Sequence, residues 1–257
     1  MPNIHRTAIV DSGAELADSV TIGPFSIIED DVEIGEESQI HSHVLVARGA
    51  RIGKNCQIHQ GTVVSTVPQD LKFSGERTTL EIGDNTVVRE FCSLNRGTKQ
   101  RGKTRVGDNC FLMAYTHTAH DCWIGDHVIM ANGVQLAGHV TVEDWVIIGG
   151  LVPVHQFCTV GQHSLIGGGF RAVQDVPPYI IAAGEPLSFK GLNVVGLKRR
   201  GFSKNVIDLL RKCYRIIYRS KLNTSQAMNR IRSEMEIIPE IHDVLEFFEK
   251  SERGIIR

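Results

Sequence analysis

The sequence predicts a mainly β protein: a parallel β-helix of hexapeptide repeats over residues 1–185, closed by a small α-helical domain over 186–257. Three observations carry this. Of the 28 positions from 10 to 172 taken in steps of six, 23 are Val, Ile, Leu or Met. Neither a helix nor a simple strand has a period of six, and a short fixed repeat marks a solenoid. Glycine often follows the aliphatic residue, and after about residue 190 the apolar spacing becomes that of amphipathic helices.

Val10, Leu16, Ile22, Ile28, Ile34, Ile40, Val46, Ile52, Ile58 and Val64 form the first run. Three hexads close one triangular coil of 18 residues, with each aliphatic side chain pointing into the prism. Gly23, Gly35, Gly53 and their counterparts up to Gly167 are expected at tight corners, in a conformation closed to side chains. Residues 67–79 put Asp70 and Glu76 at repeat positions, and residues 97–104 put Gln100 at one. Both stretches read as loops thrown out from the prism, where binding residues concentrate. The register resumes at Ile82, Val88 and Leu94, again at Val106 and Leu112, and runs from Ile124 to Ile166. It ends after Ala172, and Val176-Pro-Pro-Tyr179 marks the exit. Ser203 is expected to cap a helix whose apolar face is Val206, Leu209, Leu210, Cys213, Ile216 and Ile217. Thr224 is expected to cap a second helix to Met235, and Pro239 to open a third through Phe248.

Composition narrows the functional classes. No run of 18 apolar residues exists, so no transmembrane segment is expected. The N-terminus lacks the apolar core of a signal peptide, and a cytoplasmic location follows as the expectation. Cys56, Cys92, Cys110, Cys122 and Cys158 each stand two residues before a repeat position and no C-x-x-C occurs, so they are expected to pack rather than bind zinc. Residues 186–257 hold 15 Lys and Arg against 8 Asp and Glu, a net +7, and the remainder carries −8. A basic unit on an acidic body points to an acidic partner, and no nucleic acid is implied.

Chemistry concentrates in Met113-Ala-Tyr-Thr-His-Thr-Ala-His-Asp-Cys122, where Thr118 breaks the repeat beside His117, His120 and Asp121. A step of 18 places Gly138 one coil beyond His120, about 4.8 Å away at ordinary strand spacing. The same step carries Asp121 to His139, and a second carries His120 to Gln156. His117, His120, His139 and His155 are therefore expected on one face. A neutral histidine suits general-base work near pH 7, an adjacent carboxylate sets its tautomer, and a stacked glycine amide suits a developing oxyanion. No nucleophilic Ser or Cys stands beside His120, so direct attack by a substrate hydroxyl on an acyl group is favoured. Zinc held as in the γ-type carbonic anhydrases needs a different spacing from His117-x-x-His120, and no metal is expected.

With these motifs on the page, the chain closely resembles the UDP-N-acetylglucosamine 3-O-acyltransferase family, which begins lipid A synthesis. The resemblance rests on Gln69-Asp-Leu-Lys72, Arg96-Gly-Thr98, His117-Thr-Ala-His-Asp121, Leu136-Ala-Gly-His139, Val154-His-Gln-Phe157, Gln174-Asp-Val-Pro-Pro-Tyr179 and Gly196-Leu-Lys-Arg-Arg-Gly-Phe202. It implies a left-handed β-helix and a homotrimer with active sites between subunits. It implies His120 as general base, oriented by Asp121, with the Gly138 amide as oxyanion donor. Gln69, Asp70, Lys72, His117, His139, His155 and Gln156 would line the substrate cleft. Asn193, Arg199 and Arg200 would reach the nucleotide and the carrier arm, and Gly168 would set acyl length. The donor would be a 3-hydroxyacyl group on acyl carrier protein, the acceptor UDP-N-acetylglucosamine, and no cofactor is implied. Asn95, Val195 and Phe170-Arg171 depart from the common pattern, at positions that bear on sugar and acyl selectivity. Two other classes remain open at this point: an acetyl-CoA-dependent transferase on the same fold, and a non-catalytic or zinc-binding trimeric scaffold.

Overall fold

A computed structural model describes all 257 residues. The prism walls are three sheets, one of 11 strands and two of 8. Most strands are two residues long and end on a repeat position, as in Ile9–Val10, Glu15–Leu16 and Thr21–Ile22. Pairing within the coils is parallel and steps by one coil, for example Ile9 with Ile27 and Asn3 with Thr21. Aliphatic repeat residues from Ile22 to Ile166 are buried, each contributing about 1.5–3 kcal/mol. Val10 and Leu16 are half-buried at the open end. The chain winds as a left-handed β-helix, against the usual crossover preference.

The two loops account for the gaps in the repeat. Gln57 pairs with Val87 and Val87 with Phe111, steps of 30 and 24 residues in place of 18. Both excesses are whole hexads, which is why the register returns in phase.

The corner glycines have a different cause from the one expected. Gly23 and Gly35 do not adopt left-handed φ; a Cβ there would lie 2.7 and 2.8 Å from carbonyl carbons of the next coil. They are required by close stacking of backbone. The left-handed positions come two residues later and carry side chains, among them Phe25, Asp31, Asn55, Tyr115 and His139. Several of these stack on their counterpart one coil away, as His139 on Phe157 and His127 on Trp145, and such contacts offset the cost of the conformation.

All six cysteines are free and buried. The Sγ of Cys56, Cys110 and Cys122 donates to the carbonyls of Gly83, Gly125 and Ala137 at 3.0–3.1 Å. Ser26, Ser38 and Thr86 make the same bond from the same phase. Burial pushes the Cys110 and Cys122 thiols up to about 12.

The prism continues past its expected exit. Ile180–Ala183 pairs parallel with Leu165–Ile166, then antiparallel with Ser188–Leu192, a hairpin that crosses the 185/186 division. Leu165 meets Ile181 after 16 residues instead of 18, so the pairing survives where the sequence phase is lost. A short helix α1 (Val194–Arg199), not foreseen, follows. Helix α2 (Lys204–Arg219) is capped by Ser203 as expected. Helix α3 (Thr224–Glu234) is capped by Asn223 rather than Thr224, with Gln226 closing a capping box. Helix α4 (Pro239–Lys250) opens on Pro239. Tyr214 Oη donates to the Pro178 carbonyl at 2.6 Å, and Tyr179 Oη to Asp243 Oδ2 at 2.5 Å, joining the helices to the prism. No helix is long and apolar enough to cross a membrane.

Candidate active site

His120 and Asp121 form the turn after the strand His117–Thr118. His120 Nδ1 lies 2.8 Å from Asp121 Oδ2. Asp121 is fully buried and sits at φ 60°, which turns its carboxylate back toward the preceding insertion. There the Thr98 N–H donates to Oδ1 at 2.9 Å and the Thr98 hydroxyl to Oδ2 at 2.7 Å. The Asp121 N–H donates to Thr104 Oγ1, and Arg101 donates to the Asp121 carbonyl, both at 2.8 Å. Burial alone would raise the Asp121 carboxyl, but the Thr98 and His120 hydrogen bonds outweigh it and hold it below the usual carboxylate range.

The 18-residue step places the neighbours as expected. His139 donates its backbone N–H to the His120 carbonyl, and its Nε2 stands 3.6 Å from Asp121 Oδ2. The His139 ring meets His120 edge-on at 5.2 Å and stacks on Phe157 at 4.7 Å. Desolvation lowers its pKa, so it is neutral at pH 7. A Cβ on Gly138 would lie 2.8 Å from His120 Nε2. The Gly138 N–H donates to no group of the chain. At the corner amides of Asp84, Asp108 and Asp126, by contrast, an aspartate of the next coil accepts the bond. Gln156, the residue one coil beyond Gly138, makes no such contact and is exposed.

The four histidines differ in their partners. His120 and His139 share Asp121, and His117 and His155 line a groove of about 440 Å³ with Gln135, Ala137, Pro153 and Arg171. His117 Nδ1 is held by Ser93 Oγ at 2.7 Å, and burial lowers its pKa. His155 Nδ1 accepts from Arg253 of the C-terminal tail at 3.1 Å.

The other expected residues stand further off. Asp70 Oδ1 accepts the Lys72 N–H at 2.9 Å, and Gln69 and Lys72 are exposed. No hydrogen bond joins any of these three to His120 within the chain. Asn193 is buried and spends its side chain capping α1 and binding the His163 carbonyl at 3.0 Å. Arg199 is exposed, while Arg200 lies over Trp145 and contacts His163 Nδ1 at 3.3 Å. Gly168 stacks on Gly150, where a Cβ would come 3.2 Å from the Gly150 carbonyl oxygen. Of the departures, Asn95 anchors the first loop through Thr66 Oγ1, Arg171 pairs with Glu185, and Val195 is exposed.

Thr98, Arg101, Thr104 and Ser93 were not foreseen as site residues. The second loop was expected to project outward; it folds back on Asp121 instead, because the buried carboxylate recruits its donors. The break at Gln100 and the Arg96-Gly-Thr98 motif marked it in the sequence, without assigning either residue a role.

His120, Asp121 and His139 offer ligand atoms within 4.8 Å of one another. Asp121 already spends both oxygens on Thr98 and His120, so the trio lacks the free donors a metal requires. What remains free is His120 Nε2, packed against the α-carbon of Gly138, whose amide is itself unengaged. A larger cavity of about 680 Å³ between Trp123, Thr159 and α4 holds no histidine and no base–acid pair of this kind.

Comparison with known proteins shows the family. A family model described as Udp N-acetylglucosamine O-acyltransferase, Domain 2, matches residues 175–256, and one described as Bacterial transferase hexapeptide (six repeats) matches 13–48 and 103–138. A relative from Thiobacillus denitrificans, named Acyl-[acyl-carrier-protein]--UDP-N-acetylglucosamine O-acyltransferase, is 47% identical over 258 residues and the whole of both chains. The solved LpxA structure from Acinetobacter baumannii superposes at TM-score 0.96, with 47% identity and 99% of each chain covered. That from Bacteroides fragilis superposes at 0.97, with 44% identity, 98% of this chain and 99% of the other. The chain belongs to the acyl-[acyl-carrier-protein]–UDP-N-acetylglucosamine O-acyltransferase family.

Proposed function

We propose that this protein transfers a 3-hydroxyacyl group from acyl carrier protein to the 3-hydroxyl of UDP-N-acetylglucosamine, the first step of lipid A biosynthesis. The observation that carries the mechanism is His120 Nε2 packed against the α-carbon of Gly138, whose amide is unengaged. His120 Nε2 takes the proton of the sugar 3-hydroxyl, whose oxygen attacks the thioester carbonyl. The tetrahedral oxyanion forms at the Gly138 N–H. Its collapse expels the carrier thiolate, which takes the proton back from the imidazolium. Asp121 holds the Nδ1–H tautomer and stabilises the imidazolium, so no covalent enzyme intermediate, metal or cofactor enters. General-base catalysis supplies about 10²–10⁴ and an oxyanion donor about 10²–10³.

The groove between His117 and Arg171 suits the acyl chain, and Gly168 is assigned to setting its length. The sugar nucleotide is assigned to Asp70, Lys72, His139 and Gln156, with Asn193, Arg199 and Arg200 toward its far end. An exposed apolar strip of Ile9, Phe25, Ile27, Phe91, Tyr115 and Leu151 runs along the prism and suits packing between copies. A homotrimer joined there would bring the loop of Gln69, Asp70 and Lys72 to a neighbouring subunit's cleft. The basic C-terminal unit would steer the acidic carrier protein. The reaction belongs in the cytoplasm, where the carrier thioester is made.

The test is mass spectrometry of products from a panel of 3-hydroxyacyl carrier proteins with UDP-N-acetylglucosamine and its 3-amino analogue. O-acylated UDP-N-acetylglucosamine is expected. Turnover with acetyl-CoA alone would sink the assignment.

A further inference from the structure

Asp121 faces two imidazoles, since its Oδ2 is 2.8 Å from His120 Nδ1 and 3.6 Å from His139 Nε2. A buried carboxylate free to rotate could pair with either. We propose that Thr98 is the positioning residue that commits Asp121 to His120, and that Arg101 locks the loop that delivers it.

Thr98 is 4% exposed and engages both carboxylate oxygens, its N–H on Oδ1 and its hydroxyl on Oδ2. Two donors from one residue fix the plane of the carboxylate. The Thr98 oxygen itself accepts the Gln100 N–H at 3.3 Å, which leaves its proton directed at Asp121. The Arg101 guanidinium lies over the Trp123 ring and donates to the Asp121 carbonyl, tying the far side of the loop to the same residue. The charged or titratable groups around the pair are His120, His139 and Arg101 at Asp121, His117 and His139 at His120, and Asp70 beyond His139. None of them restrains the carboxylate plane. Substrate reaches His120, whereas Thr98 acts only through Asp121.

This inference rests on His120 being the base, so His120→Ala is assayed alongside. Thr98→Val keeps the shape and the N–H and removes the hydroxyl donor; Thr98→Ser keeps both donors. Steady-state kinetics with 3-hydroxyacyl carrier protein and UDP-N-acetylglucosamine are measured across pH, with thermal unfolding as the control. For Thr98→Val, kcat is expected to fall by about ten- to a hundredfold with both KM values within about twofold. Its acid limb should move to lower pH, because a carboxylate no longer committed to His120 stabilises the imidazolium less. Thr98→Ser should restore both. Arg101→Met, which retains apolar contact with Trp123, should lower kcat in the same sense and serves where Thr98→Val does not fold. Wild-type kcat and pH profile in folded Thr98→Val or Arg101→Met, with His120→Ala inactive, overturns this inference alone. Near-normal turnover by His120→Ala overturns the mechanism beneath it.

Discussion

Gly138 sits one coil beyond His120, so close that a methyl group on its α-carbon would lie 2.7 Å from the imidazole Cε1 and 2.8 Å from Nε2. Glycine is needed here for space, since its φ is not left-handed. Gly138→Ala should therefore fold normally while driving the imidazole off the amide. We expect kcat to fall by about 10²–10⁴, the cost of displacing the general base, since alanine keeps the backbone N–H. An alanine enzyme with wild-type kcat would mean that the contact with Gly138 does not position His120.

The aspartate ladder at the opposite corner predicts a stability effect without an activity effect. Asp126 Oδ1 accepts the Asp108 N–H at 2.9 Å, far in sequence phase from His120. Asp126→Ala leaves that corner amide unpaired and should lower the unfolding free energy by about 1–3 kcal/mol. Urea denaturation measures it, and an unchanged midpoint would mean the ladder is ornamental.

Acid sensitivity should trace in part to His163. It is packed between Trp145 and Tyr179, and burial, with Arg200 adding to it, pushes its pKa down to about 4. Its folded value lies below the unfolded value of about 6.5, so the unfolded chain binds the proton more readily. Stability from this site is whole above pH 6.5 and is lost as pH falls toward 4. His163→Phe should flatten the decline of Tm over that window; parallel wild-type and variant curves would rule His163 out.

Charge at α1 and α2 should govern donor use alone. Lys198 and Lys204 are exposed and make no ion pair. Replacing both with Glu should raise KM for the acyl carrier protein several-fold and weaken its salt dependence, leaving KM for the sugar nucleotide unchanged. Equal effects on both substrates would point to a structural role instead.

Much of the site was legible because the coils between Leu112 and Ile166 keep a strict step of 18, which aligned His120 with Gly138 and Asp121 with His139. Thr98 was not legible in this way. It reaches Asp121 across 23 residues, which is no multiple of the coil, from a loop with no repeat.

By itself, the six-residue period determined the prism, its buried residues, the inert packing of the cysteines and the stacking of His120 on Gly138. A period encodes one local geometry repeated, so phase alone says which side chain meets which. Tertiary structure decided that Thr98 and Arg101 close on Asp121, that the corner glycines answer to backbone crowding, and that a hairpin extends the prism past Tyr179. Those contacts join segments of unlike phase, and they are set by where a buried charge finds donors and where stacked backbones leave no room.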